Sequence, residues 1–227
     1  MFAYGEISSS PSWLFTINAF FKFKFLSASA KFLSNLGVDV IIESFTKYVS
    51  GHSDVMMGGV IARGKYYRRI KEQSELMGQC TSPDDVYLAM RGLRTIEVRL
   101  EKSFTSSIKI ANWIAKIPCV KNVYHPATKH HPDYMIFKRD FNIGAGLFSF
   151  EIKQIEQSKI DKFIDSLELF GIGASWGGFE SLVLPAEVKK IRRFDTFKNS
   201  ALIRLAIGLE NPDDLIDDLN RSFAKLD

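Results

Sequence analysis

The sequence predicts an α/β fold: a strand-rich segment, one long helix, then a smaller domain that mixes strands and helices. Three observations carry this. Two short apolar runs rich in β-branched residues, 37–43 and 58–62, precede the helix. A helical apolar period then extends from Ser82 to Pro118. Beyond it, strand-like and helix-like segments alternate to the C-terminus.

The totals narrow the class. A length of 227 residues suffices for one large domain or two small ones. A hydrophobic content of 46% with 25% charged residues is that of a globular protein. The net charge of +4 comes without a basic run, which argues against a nucleic-acid partner. Cys80 and Cys119 lie far apart with no C-x-x-C spacing. That argues against a metal site or a disulfide scaffold, and for a reducing, cytoplasmic setting.

Residues 1–34 read differently from the rest. They hold one acid, Glu6, three lysines (Lys22, Lys24 and Lys31) and a crowd of phenylalanines from Phe15 to Phe32. The apolar run from Trp13 to Phe21 is too short and interrupted to span a bilayer, so no membrane partner is expected. An export signal would place basic residues first, whereas here Glu6 comes early and the lysines late. The expectation is a divergent, poorly ordered extension.

The run 37–43 reads as a buried strand after a glycine, and 58–62 as a second strand. Ser82-Pro83-Asp84-Asp85 is a helix start: Ser82 caps, Pro83 fits the first turn, and the acids face the positive end of the helix dipole. Apolar residues from Val86 to Ile114 continue the period, with one break expected near Ser103–Ser107, and Pro118 ends it. Arg91, Arg94 and Arg99 are expected on a solvated face.

Residues 120–124 read as a strand, 146–152 as an alternating strand with Phe148, Phe150 and Ile152 on one side, and 159–170 as an amphipathic helix. The glycine-rich segment from Ser175 to Ser181 precedes the strand 182–184. Residues 201–207 form a strand with Arg204 among apolar neighbours. A buried guanidinium needs an anionic partner, either an internal carboxylate or that of a substrate held by its planar fork. Asn211-Pro212-Asp213-Asp214 starts a last helix by the capping logic of Ser82. No internal repeat or low-complexity tract is present.

The chemistry-bearing stretch follows the first strand. Lys47 comes directly after Thr46, with Ser44 three positions before it, and Gly51-His52-Ser53-Asp54 follows. Hydroxyls are natural phosphate ligands, and a lysine beside a phosphate site can form an imine with an aldehyde cofactor. That is a seat for pyridoxal phosphate, with Lys47 as the Schiff-base residue.

From about Leu36 onward the chain resembles the Cys/Met-metabolism pyridoxal-phosphate enzymes, the trans-sulfuration family. The resemblance rests on ordered blocks: Ser44-x-Thr46-Lys47-Tyr48-x-x-Gly51-His52-Ser53-Asp54, Arg91-Gly92-Leu93-Arg94-Thr95, Lys138-Arg139-Asp140-Phe141, Gly146-Leu147-Phe148-Ser149-Phe150, and Leu202-Ile203-Arg204-Leu205-x-Ile207-Gly208-Leu209-Glu210. Ser175-Trp176-Gly177-Gly178 is similar to the cystathionine β-lyase branch, since the synthase and γ-lyase branches typically carry leucine at the tryptophan position.

The resemblance implies the C-terminal part of a fold-type I pyridoxal-phosphate transferase: a partial large-domain sheet over 35–103, a long connecting helix, and a small α/β domain over 104–227. It implies that Lys47 binds the cofactor and abstracts the substrate Cα proton. Ser44 and Thr46 would bind the cofactor phosphate. Arg204 would clamp the substrate α-carboxylate, and Ser175 and Trp176 would line the substrate pocket. The implied reaction is β-elimination of L-cystathionine to homocysteine, pyruvate and ammonia, in methionine biosynthesis.

The family carries further cofactor contacts ahead of the lysine, including an aspartate on the pyridine nitrogen. No aspartate precedes Asp39 here. The expectation is therefore a chain lacking the N-terminal cofactor-binding half. It would be either a non-catalytic piece of a broken gene or an enzyme completed by a separate N-terminal half, and a homo-oligomer is a further expected association. A γ-synthase or γ-lyase relative is the remaining alternative. Residues 36–80 would then pack poorly or need a partner, because a parallel sheet short of strands exposes an apolar edge.

Overall fold

The computed structural model describes residues 2–6, 37–153, 156–186, 197 and 200–226. The apolar run from Trp13 and the crowded phenylalanines lie outside the described residues. The chain forms two compact units, 1–97 and 98–227. Their boundary and the sequence-derived one at 103/104 both fall inside the same helix, Ile96–Ile114.

In the first unit, strands β1 (Phe2–Glu6), β2 (Val40–Ser44) and β3 (Gly58–Ala62) make a sheet in the order β1-β3-β2. β1 runs parallel to β3, with Phe2 beside Gly58 and Glu6 beside Ala62, while β2 is antiparallel to β3. The start of the chain, expected to be a loose extension, thus supplies a paired strand over residues 2–6. β2 begins at Val40, after Gly37 at φ 89°, and is an edge of the described sheet. Only Ile41 of β2 is buried, so the expectation of a buried strand does not hold: Ile42 is 72% exposed.

Helix α1 (Gly64–Leu76) follows β3 directly and runs beside β1 and β3. An ion pair from Arg63 to Asp39 at 3.1 Å ties its start to the base of β2, and Gly78 at φ 65° ends it. Helix α2 (Pro83–Leu93) starts as expected: Ser82 Oγ accepts the Asp84 N–H at 3.3 Å. Phe45, Val49, Val55, Met57, Ile61, Ala89 and Leu93 are buried. Residues 36–80 thus contribute Phe45, Val49, Val55, Met57 and Ile61 to a core, while Met56, Leu76 and Met77 are 85%, 78% and 70% exposed.

Helix α3 (Ile96–Ile114) is continuous. The break falls at Arg94–Thr95, where Thr95 N–H and Oγ both turn to the Gly92 carbonyl, and not at Ser103–Ser107. Those serines return their hydroxyls to carbonyls of their own helix, Ser103 to Leu100 and Ser107 to Phe104, so nothing interrupts the ladder. Arg91 and Arg94 are exposed, but Arg99 is buried, against the expectation of a solvated face.

The second unit is a five-stranded sheet in the order β4-β5-β8-β7-β6, from Val120–Tyr124, Leu147–Lys153, Gly171–Ile172, Leu182–Pro185 and Ser200–Ala206 in chain order. Neighbours are antiparallel except β6 and β7. Helices α4 (Tyr134–Asp140), α5 (Gln157–Asp165) and α6 (Pro212–Phe223) complete it. Asn211 caps α6 by accepting the Asp213 N–H at 3.1 Å.

One core joins Ile110 and Ile114 of α3, Phe148, Phe150 and Ile152 of β5, Phe163 of α5, Ile203 and Leu205 of β8, and Leu215, Leu219 and Phe223 of α6. The Phe163 and Phe223 rings meet at 4.9 Å. α5 stops at Asp165 rather than Phe170, because buried Asp218 takes the Glu168 and Leu169 N–H groups and turns the chain. No helix among the described residues is long and apolar enough to cross a membrane.

Candidate functional site

The six residues singled out in the sequence divide between the units. Ser44, Thr46 and Lys47 belong to the first; Ser175, Trp176 and Arg204 belong to the second.

Lys47 sits in a turn built where β2 ends. Its N–H donates to the Ser44 carbonyl at 3.1 Å, and its own carbonyl accepts the Gly51 N–H at 2.9 Å. The Ser50 N–H reaches back to Phe45 O at 2.9 Å, and Ser50 Oγ donates to Thr46 O at 3.0 Å. Gly51 takes φ 69°, which a residue with a Cβ rarely adopts. Phe45 anchors the turn: its ring lies so close over Gly59 of β3 that a Cβ there would be 2.5 Å from Cε1. Ser53, in the following loop, holds φ 59°, an uncommon conformation for a residue other than glycine.

Thr46 is clasped to Met57. The Met57 N–H donates to Thr46 Oγ1 at 2.9 Å, while Thr46 N–H and Oγ1 both donate to Met57 O, at 3.0 and 3.1 Å. This clasp has no sequence signal, since Met57 is eleven positions away. It leaves the phosphate role physically open. If the hydroxyl proton rotates to an anion, Met57 O keeps the Thr46 N–H, and no buried group is orphaned. The Ser44 hydroxyl takes part in no hydrogen bond among the described residues and is exposed. One free hydroxyl and one that can be redirected, beside a lysine, fit a phosphorylated aldehyde. Tyr48 beside them is mostly buried, which pushes its phenol up to about 12, so it stays protonated near neutrality.

Arg204 leaves β8 on the sheet face opposite the core residues Ile203 and Leu205. Its Nη2 donates to the carbonyls of Gly173 at 3.0 Å and Ser175 at 3.1 Å, and the guanidinium lies 5.9 Å from the Trp176 ring. Arg204, Ser175 and Trp176 are therefore together. The Arg204 Nε is buried without a hydrogen-bond partner, and burial lowers the side chain's pKa from its ordinary value. No carboxylate pairs with it among the described residues. Glu151 shares its sheet face but is saturated: Lys121 and Ser200 occupy one oxygen, Asn122 and Tyr124 the other. An oriented guanidinium with an unsatisfied buried N–H is suited to an incoming carboxylate.

Residues 26–224 match the Cys/Met metabolism PLP-dependent enzyme family, so the match begins ahead of Leu36 and takes in residues 26–34, which had read as unlike it. The chain is 43% identical over 194 residues to cystathionine beta-lyase of Haemophilus influenzae, covering 83% of this chain and 49% of that protein. It is 41% identical over 197 residues to cystathionine beta-lyase of Escherichia coli K12, covering 85% and 50%. Its structure is similar to cystathionine gamma-lyase from Lactobacillus plantarum complexed with L-serine, with a TM-score of 0.76, 29% identity, and coverage of 85% and 52%. The chain spans about half the length of the curated relatives it matches.

Proposed function

The chain belongs to the family of Cys/Met metabolism PLP-dependent enzymes, and from that membership we propose that it serves β-elimination of L-cystathionine to homocysteine, pyruvate and ammonia. The observation that carries this reading is the lysine turn, with Lys47 flanked by an unengaged Ser44 hydroxyl and a redirectable Thr46 hydroxyl.

In this reading Lys47 holds pyridoxal phosphate, and Ser44 and Thr46 hold its phosphate. When bound, the cofactor supplies the electron sink that makes the substrate Cα proton labile. Lys47 Nζ takes the proton as general base. Arg204 grips the α-carboxylate through its unsatisfied Nε–H, backed by the carbonyls that already fix its Nη2. Ser175 and Trp176 shape the pocket beside it. A cytoplasmic setting and a small-molecule amino-acid substrate belong to the same proposal. So do completion of the site by a separate N-terminal half and association of the chain into a homo-oligomer.

The test is attachment. Full-length chain incubated with pyridoxal phosphate is expected to gain a visible absorption band, and borohydride reduction is expected to add the cofactor's mass to the Lys47 peptide. Lys47→Ala should abolish both. A chain that shows neither, alone and with the N-terminal half of a relative added, overturns the reading. Pyruvate release compared among cystathionine, methionine and O-succinylhomoserine separates the β-lyase from its γ-lyase and γ-synthase alternatives. Replacing Arg204 by lysine removes the planar fork while keeping the charge. It is expected to weaken L-cystathionine binding, read by calorimetry, by roughly tenfold or more, the worth of one charged hydrogen bond.

A further inference from the structure

We propose that Gly92 is a positioning residue for Lys47: the bare backbone of helix α2 sets the turn that carries the lysine. The proposal deepens the pyridoxal-phosphate reading and rests on it for what Lys47 does, though not for the packing itself.

Gly92 is buried in the last turn of α2. A Cβ built on it would run into the Ser50 carbonyl oxygen and lie 2.5 Å from that of Val49. Only a hydrogen fits between helix and turn. Glycine inside a helix is destabilising relative to alanine, so its presence here marks a close approach that a methyl group would forbid.

The two carbonyls belong to residues two and three positions after Lys47, within one hydrogen-bonded turn. Gly51 N–H, which follows the Ser50 carbonyl directly, donates to Lys47 O, Ser50 N–H donates to Phe45 O, and Ser50 Oγ donates to Thr46 O. A push on the Ser50 carbonyl therefore moves the lysine's own peptide.

The turn has nowhere to retreat. It is also pinned elsewhere: the Phe45 ring is seated on Gly59, and Thr46 is clasped to Met57 by three hydrogen bonds. The helix is held as firmly, with Ala89 and Leu93 buried and Ser82 capping its start. A methyl group at position 92 would demand a shift on the order of 1 Å to restore van der Waals contact. A displacement of that size at a reacting group is enough to damage catalysis.

The experiment compares wild type, Gly92→Ala and Val86→Ala, the last altering α2 away from the turn. Amide hydrogen exchange is measured on the full chain without cofactor, and covalent capture of pyridoxal phosphate at Lys47 is measured by borohydride trapping. Gly92→Ala is expected to speed exchange of the Ser50 and Gly51 amides at least tenfold and to cut trapping at least fivefold, while Val86→Ala changes neither. Wild-type exchange and trapping in Gly92→Ala would overturn the proposal. Should Gly92→Ala not fold, wild type alone decides. The amides of α2 and of residues 45–51 must then open as one unit with one denaturant dependence, and independent opening of the turn overturns the proposal. Absence of trapping even in wild type overturns the cofactor reading, and exchange alone then judges Gly92.

Discussion

Replacing Glu151 by alanine is expected to destabilise the 98–227 unit by roughly 3 kcal/mol, the lower end of what removing one partner of a buried ion pair costs. Glu151 is 1% exposed at the centre of β5, on the sheet face away from the helices. Its carboxylate accepts from Lys121 Nζ at 2.8 Å, Asn122 Nδ2 at 2.7 Å, Tyr124 OH at 2.8 Å and Ser200 Oγ at 2.6 Å. These donors come from β4 and β8, the strands on either side, so one carboxylate stitches three strands. Lys121 is half exposed and can rehydrate when its partner is removed, which keeps the cost at the lower end. Glutamine keeps the shape but brings an N–H₂ toward donors, so Glu151→Gln should lose about half as much.

Acid should reproduce the effect. Burial alone would raise the Glu151 carboxyl, but the hydrogen bonds from Lys121, Ser200, Asn122 and Tyr124 outweigh it and hold the group at about 2. A depressed folded pKa means a contribution fully present above the unfolded value of about 4.3. It is lost as pH falls from there through about 2. Urea unfolding of wild type and Glu151→Gln across that window checks it: the gap between them should close as pH falls. A constant gap would mean that the carboxylate charge contributes nothing.

How much was legible depended on the range of the interaction responsible. The starts of α2 and α6 could be read because Ser82 and Asn211 act on amides two residues away, with proline and acids beside them. β5 and β8 could be read because alternation survives wherever one face is buried. Helix α1 escaped notice because Lys65-Tyr66-Tyr67-Arg68-Arg69 continues into Lys71-Glu72-Gln73 and presents no apolar stripe; Ser74 is its buried residue. The segment Ser103–Ser107 suggests a break, yet carbonyls of the same helix accept the Ser103 and Ser107 hydroxyls.

At the candidate site the division is the same. Lys47, Ser44 and Thr46 stood out by residue type. Arg204 stood out as a guanidinium in an apolar strand, and its two carbonyl anchors had no signal. The Thr46–Met57 clasp and the contact of Gly92 with the Ser50 carbonyl join segments distant in the chain. Gly92 appeared only as one letter of a motif, with nothing to say what it touched.

Lowering the pH from about 7 to 4 is expected to cost the second unit about 3 kcal/mol through His125 alone. His125 is 2% exposed, between the rings of Phe148 at 5.4 Å and Phe104 at 6.1 Å. The hydrogen bonds assign its tautomer. Nδ1 accepts the Ala127 N–H at 3.3 Å, so Nε2 carries the proton and donates to Ser107 Oγ at 2.9 Å; Ser107 then donates to Phe104 O at 2.7 Å. A second proton would have to sit on Nδ1, facing an N–H. Burial, opposed by a backbone hydrogen bond and aided by the nearby His131, lowers the pKa from 6.5 to about 4. Between those values the unfolded chain binds a proton that the folded chain refuses. Stability is thus full above about 6.5 and falls by about 1.4 kcal/mol by pH 5.5. The loss levels off below about 4, once both states are protonated. His125→Asn removes the titration while lowering stability at every pH. Its urea midpoint should therefore be flat from pH 7 to 5 where that of wild type slopes, and equal slopes would show that the buried imidazole is not the group responsible.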